Sequence, residues 1–177
     1  MPLPNLPDKQ IAIIAGWVAA YISEQRETFS QKAQPLAGPS KKLLQPFFPA
    51  DILENVRTIR ARAPEPAFYP QLRALGIRNA PAFSQMAGIT FVDVVLHVDP
   101  LTDSLLFHEL VHAVQYKHLG LAGFAERYVR GFLNGGCYEE IPLEKQAYEL
   151  EGAFAKNPCA AFSVEDDVKN GIVAHRF

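Results

Sequence analysis

His108, Glu109 and His112 are the residues of this chain best placed to do chemistry. They stand in the run 105–118, "LLFHELVHAVQYKH", whose other residues are mostly apolar. Burying imidazoles and a carboxylate in such a run is costly unless something pairs with them. On a helix the two histidines, four positions apart, lie on one face with their rings about 6 Å apart along the axis. Both can then reach one tetrahedral Zn²⁺ at ~2.0–2.1 Å. Glu109 is one position round from His108, beside the open side of such an ion, where it can take a proton from bound water.

A site of this kind needs a third protein ligand, and several residues could supply it. His118 lies ten positions after His108. Between them Gln115 sustains the helix, which carries His118 about 15 Å along the axis and away from the ion. His118 reads instead as a surface histidine near a helix C-terminus, where partial positive charge is favourable. A later helix, 141–156, offers Glu144, Glu149 and Glu151, with Glu139 and Glu140 just before it. At about 100° per residue, Leu143, Ala147, Leu150 and Phe154 form its apolar stripe. Glu144 and Glu151 border that stripe, while Lys145 and Glu149 face solvent. Glu144 has the small Ala147 one turn on, which would let this helix approach the HExxH helix closely. A first-turn glutamate also stabilises a helix dipole without any metal. Glu151 shares the face of Glu144 but sits about 10 Å farther along, so one ion would use one of the two. Glu144 is the preferred ligand and Glu151 the alternative.

These residues need elements to hold them. A first helix spans 8–32, capped by Asp8, with Ile11, Ile14, Val18, Ile22 and Phe29 as its stripe. Pro35 and "AGPS" end it, and a short helix opens after Pro49 and leads to a strand over 56–62. Pro64, Pro66, Pro70 and Pro81 punctuate an irregular segment with a short helix at 71–75. The clearest strand is 89–98, "ITFVDVVLHV", with Thr90, Val92, Val94, Leu96 and Val98 on one face. Thr102 or Asp103 caps the helix 104–119, which Gly120 stops; a second helix runs 121–133, and a third, 141–156, opens with proline in its first turn. The pattern predicts an α+β fold, a mostly helical single domain over 1–177 with a small β-sheet.

Composition narrows the function classes. The 177 residues are 49% hydrophobic and 20% charged, with a formal net charge of −2. That balance gives no argument for nucleic acid or an anionic membrane as partner, and Arg57, Arg60 and Arg62 read as a solvated face. "MPLPNLPDKQ" lacks the order of a signal peptide, and the apolar run 11–22 is shorter than the roughly 20 residues that span a bilayer. The expectation is a cytoplasmic protein. Cys137 and Cys159 flank a helix that would hold them roughly 24 Å apart, and a disulfide tolerates about 7 Å, so free thiols are expected.

The order strand, HExxH helix, further helix, glutamate-bearing helix resembles the zincin metallopeptidases over 90–154. "HELVHAVQYKHLG" followed by "IPLEKQAYELE" looks like small uncharacterised bacterial zincin-like proteins. Within the superfamily the likeness is to gluzincins, which take their third ligand from a later helix. The metzincin pattern would need glycine at the position of Gln115 and a methionine turn downstream, and the only methionines here are Met1 and Met86. The resemblance implies a minimal zincin-like architecture with one Zn²⁺ on His108, His112 and Glu144, and Glu109 as the base in hydrolysis of a peptide or protein substrate. It further implies that the strand 89–98 walls the cleft and binds extended peptide through its main chain. A donor to the tetrahedral oxyanion is also expected, and Tyr138 is the candidate; His97 and His175 are weaker ones. The chain departs from thermolysin-like enzymes at Tyr148, where they carry an aspartate that orients a zinc histidine. Tyr148 could still hydrogen-bond one. The Pro-rich segment 64–81 is a candidate cover for the cleft. Two other readings stand beside the peptidase: a non-catalytic zincin-fold binding or regulatory domain, which the presence of Glu109 disfavours, and a zinc amidase with a non-protein substrate.

Overall fold

The computed structural model describes residues 3–177. Helix α1, Asp8–Ser30, opens after Pro7, so Asp8 sits in the first turn instead of capping it. It buries Ile14, Val18 and Ile22 of the expected stripe together with Tyr21, while Ile11 and Phe29 at its two ends are half-buried. Then come β1 (Gln34–Pro35), α2 (Gly38–Leu44), α3 (Ala50–Asn55), β2 (Arg57–Arg60) and α4 (Tyr69–Ala74). Strands β3 (Gly88–Phe91) and β4 (Val94–His97) precede α5 (Asp103–Gly135), α6 (Pro142–Lys156) and α7 (Val164–Val173). The architecture is α+β and mostly helical, as the sequence pattern predicts. No described helix is long and apolar enough to cross a membrane.

The strand expected over 89–98 is in fact a hairpin. Its alternating pattern conceals a two-residue turn, Val92-Asp93, with none of the glycine or asparagine that usually marks one. Val92 adopts φ 64°, and Arg26 on α1 holds Asp93 through two hydrogen bonds of 2.6 and 2.7 Å. The sheet order is β1-β2-β4-β3, with β2 and β4 parallel and the other pairs antiparallel. That leaves β3 as an edge. Ala87 O accepts from Val98 N at 2.9 Å, so Ile89 and Phe91 bond inward to β4 while the main-chain groups of Gly88 and Thr90 face the free edge. Tyr116 on α5 donates its hydroxyl to Thr90 O at 3.3 Å.

Thr102 caps α5 by accepting from Leu105 N at 3.1 Å, a contact worth about 1 kcal/mol. At Gly120 the backbone takes φ 68° and ψ 166°, a conformation essentially confined to glycine. The helix therefore breaks there into arms 103–119 and 121–135, matching the expected stop. The first arm lies between two apolar clusters. Leu106, Phe107, Leu110 and Val114 pack with α2, α3, α6 and α7. Tyr116, with Phe124 and Val129 of the second arm, packs with α1 and the hairpin. The Phe107 ring stacks on Phe154 of α6 at 4.5 Å, so Phe107→Ala would cost about 3–5 kcal/mol and loosen α6 from α5.

Three short elements are absent from the sequence reading: β1, α2 and α7. Gly38 and Pro39 begin α2 where the "AGPS" segment reads as a break. Ser163 caps α7 by accepting from Asp166 N at 3.1 Å.

Candidate metal centre

His108 and His112 lie on the buried face of the first arm of α5, and Glu144 lies in the first turn of α6; all three are buried. The packing of α6 through Leu143, Ala147 and Leu150 brings that turn against the motif helix, and Ala147 is fully buried, as close approach requires. His108 Nε2 and His112 Nε2 are 3.1 Å apart, and Glu144 Oε2 is 3.4 and 3.3 Å from them. A tetrahedral ion with bonds of ~2.0–2.1 Å separates its ligand atoms by about 3.3–3.4 Å. The donor spacing fits one such ion, so the His108–His112–Glu144 group could hold a metal.

The protons of the two rings agree with this. His108 Nδ1 is 3.1 Å from Glu151 Oε2. Glu151 is held below the usual carboxylate range chiefly by that bond to His108, so it accepts and the ring nitrogen donates. His112 Nδ1 is 2.8 Å from Gln115 Oε1, and it donates there. With both Nδ1 atoms acting as donors, both Nε2 atoms can turn lone pairs to the point shared with Glu144, the arrangement metal-binding histidines adopt.

The electrostatics favour a cation at that point. Burial by itself would lower His108, but hydrogen bonds to Glu144 and Glu151 raise it to about 10. His112 is raised too, by Glu144 and against its burial. Glu144 is buried as well, yet the two imidazoles hold it far below the usual carboxylate range. A metal held there would compete with these protons for the same nitrogens.

Glu109 is buried on the same arm, and burial raises its carboxyl, opposed by the two imidazoles and by a hydrogen bond from Thr90. Thr90 Oγ1 on the edge strand lies 2.7 Å from Glu109 Oε2. Glu109, His112 and Glu144 line one end of a cavity of about 40 Å³ whose other walls include Tyr21, Phe83, Phe91, Phe124 and Tyr128. With roughly 10–15 Å³ needed for one water, the space takes a few atoms of a ligand. Its far walls carry no charge. The Pro-rich segment 64–81 is fastened beside it: Tyr21 donates to Pro64 O at 2.6 Å and Tyr69 to Pro81 O. The residues that reach the cavity, Phe83 and Met86, follow that segment.

The other candidates fall elsewhere. His118 is outside the ligand group and bonds Glu165 of α7 at 2.9 Å, as a continuous helix through Gln115 requires. Glu151 faces the distal nitrogen of His108, one layer out from the ligand position, and Ser104 donates to it at 2.9 Å. Tyr138 donates its single hydroxyl proton to Glu144 Oε2 at 2.7 Å; that proton is therefore not free for a substrate oxygen in this arrangement. Tyr148 is half-exposed, with its ring 4.5 Å from that of His108. His97 and His175 are outside the ligand group. Cys137 and Cys159 are free.

The contacts of Thr90 with Glu109, of Gln115 with His112 and of Glu151 with His108 do not follow from the sequence pattern. Gln115 carried a signal, since an amide inside an apolar helix face must find partners. Comparison with protein-family models, curated proteins and solved structures gives no match.

Proposed function

We propose that the protein is a zinc-dependent hydrolase, a small metallopeptidase of gluzincin type. One observation carries the reading: two imidazole nitrogens and a carboxylate oxygen at tetrahedral spacing, with Glu109 against the same cavity. Nitrogen and oxygen donors in this set suit Zn²⁺, and three protein ligands leave a corner open, as hydrolytic sites require. What the ion supplies when bound is Lewis acidity toward the scissile carbonyl and a more acidic water.

The chain supplies the rest. Glu109 takes the proton of the attacking water and passes it to the leaving nitrogen. Thr90 holds its carboxylate. Tyr138 holds Glu144, and Glu151 and Gln115 orient the rings. Gly88 offers its main-chain groups at the sheet edge, where an extended peptide can add as a further strand once it shares or displaces the Tyr116 bond to Thr90 O. The uncharged aromatic slot takes a small apolar group next to the scissile bond.

The test is zinc content together with turnover of short peptides carrying apolar residues at the cleavage site. The wild type should bind one zinc and cleave them. Glu109→Gln should keep the zinc and lose at least ~10²-fold in turnover. A zinc-loaded wild type inert toward broad peptide libraries, or a Glu109→Gln variant of full activity, overturns the reading.

A further inference from the structure

We propose that the C-terminal helix α7 is part of the metal site, acting through a polarised chain of two buried amides, and that Gln115 is the positioning residue that delivers it to His112. The proposal rests on the metal-centre reading for its affinity test, but not for its spectroscopic one.

Gln115 is fully buried and Gln146 nearly so. Gln115 Nε2 donates to the main-chain oxygen of Leu143 at 2.9 Å and to Gln146 Oε1 at 3.0 Å. Gln146 Nε2 in turn donates to Asp167 O at 3.2 Å and Asp167 Oδ1 at 2.8 Å on α7. The direction of every bond is forced. A main-chain oxygen can only accept, so Leu143 fixes which end of the Gln115 amide carries hydrogen. Its Oε1 must then face His112, and the His112 Nδ1, 2.8 Å away, must donate. Asp167 imposes the same sense on Gln146, whose oxygen is left to accept from Gln115.

Two consequences follow for the ligands. His112 has one tautomer available when neutral, with the hydrogen on Nδ1 and the lone pair on Nε2 toward Glu144. The Gln115 amide also clips the carbonyl of Leu143, the residue before Glu144, so a single side chain sets a histidine ligand and the turn bearing the glutamate. Withdrawing Asp167 would leave a buried Gln146 hydrogen unsatisfied and free that amide to rotate. The alternative orientation would point hydrogens at Gln115 and undo the polarity.

The experiment uses the full-length protein and three substitutions. Gln115→Met and Gln146→Met keep side-chain length and remove the hydrogen bonds; Glu149→Ala, on the exposed face of α6, is the control. Zinc affinity is read by competition with a chromophoric chelator, and Co²⁺ absorption reports ligand geometry. Gln115→Met should lose about 10–100-fold in affinity, the range for lost outer-shell partners, with an altered Co²⁺ spectrum. Gln146→Met should lose less, about 3–10-fold, for a partner one bond further out, and Glu149→Ala should match the wild type. A folded Gln115→Met with wild-type affinity and spectrum overturns the Gln115 role, and an unaffected Gln146→Met overturns the α7 arm. Should Gln115→Met fail to fold, Gln146→Met carries the test. Nitrogen-15 NMR of the metal-free protein separates this proposal from the zinc reading. The His112 Nδ1–H should appear as a hydrogen-bonded, slowly exchanging proton whether or not zinc binds, and its absence overturns the chain of amides alone.

Discussion

Gly88 lies so close to Glu109 that no side chain fits between them: a Cβ at Gly88 would stand 2.5 Å from Glu109 Oε1 and 3.0 Å from its Cδ. Thr90, two residues along the same strand, bonds the other carboxylate oxygen. The edge strand therefore grips Glu109 from two positions, one by an absence and one by a hydroxyl. Gly88→Ala should displace the carboxylate without touching the metal ligands. The expected outcome is unchanged zinc content and a fall in peptide turnover of at least ~10-fold, from the lost alignment of a general base. Full turnover in a folded Gly88→Ala would mean that the carboxylate relaxes into place or plays no part.

The hairpin that carries this strand turns at Val92, a β-branched residue at φ 64°. Such a residue is a genuine outlier in the left-handed region, and strain of this kind costs about 1–3 kcal/mol. Only Val92 of the two turn residues has positive φ, the position where such a hairpin takes glycine, so Val92→Gly should raise stability by up to about 1 kcal/mol after some loss of packing. Urea unfolding would show it as a higher midpoint with the slope unchanged. A lower midpoint would mean that the packing of Val92 outweighs its strain.

The longer helices α1, α5 and α6 and the His108–His112–Glu144 grouping are legible in the sequence because they depend on spacing along single elements. His108 and His112 share a helix, and Glu144 could be selected among its neighbours by the face it shares with Ala147. The hairpin was not legible, since apolar residues from Phe91 to Leu96 serve both sides of a thin sheet and Val92 gives no turn signal. The supporting residues were harder still. Thr90 meets Glu109 and Gln146 meets Asp167 only through tertiary packing, so neither sequence neighbourhood announces the pairing. Glu151 shares the face of Glu144, so by spacing alone the two compete for one ion, whereas in the fold they bracket the same imidazole from opposite nitrogens.

His118 and Lys117 belong to a different network, centred on Glu165 of α7. The Lys117 hydrogen bond chiefly, and then that of His118, lowers Glu165 to about 2 from an ordinary 4.5, against a small opposing effect of burial. A depressed carboxyl stabilises the fold above its unfolded value and ceases to do so as pH falls through its folded one. Lys117→Met should therefore cost stability at pH 7, by less than about 1 kcal/mol for so solvent-screened a pair. The gap from wild type should narrow as pH falls from about 4.5 toward about 2. Chelator-treated proteins compared by urea unfolding at pH 7 and pH 3 test this, and a gap that widens at pH 3 contradicts it. His118→Ala should bind zinc as the wild type does. Loss of metal in a folded His118→Ala would return that histidine to the ligand set.

Glu144 and Glu151 allow the most direct test of the site. Glu144 Oε2 faces the Nε2 atoms of both histidines, whereas Glu151 Oε2 meets only His108 Nδ1, on the outer side of that ring. An imidazole cannot turn both nitrogens to one ion, so in the proposed site Glu151 would act through His108 and Glu144 on the metal. Glu144→Ala should cut zinc affinity by more than ~100-fold, beyond the range for outer-shell changes, and abolish hydrolysis. Glu151→Gln keeps an oxygen that can accept from His108 but loses the charge, and should cost no more than about 10-fold, with hydrolysis retained. Zinc retained after dialysis against a graded chelator distinguishes them, with circular dichroism confirming the fold. If Glu151→Gln loses zinc and Glu144→Ala keeps it, the carboxylate that completes the site is Glu151, and the first turn of α6 must sit differently against α5.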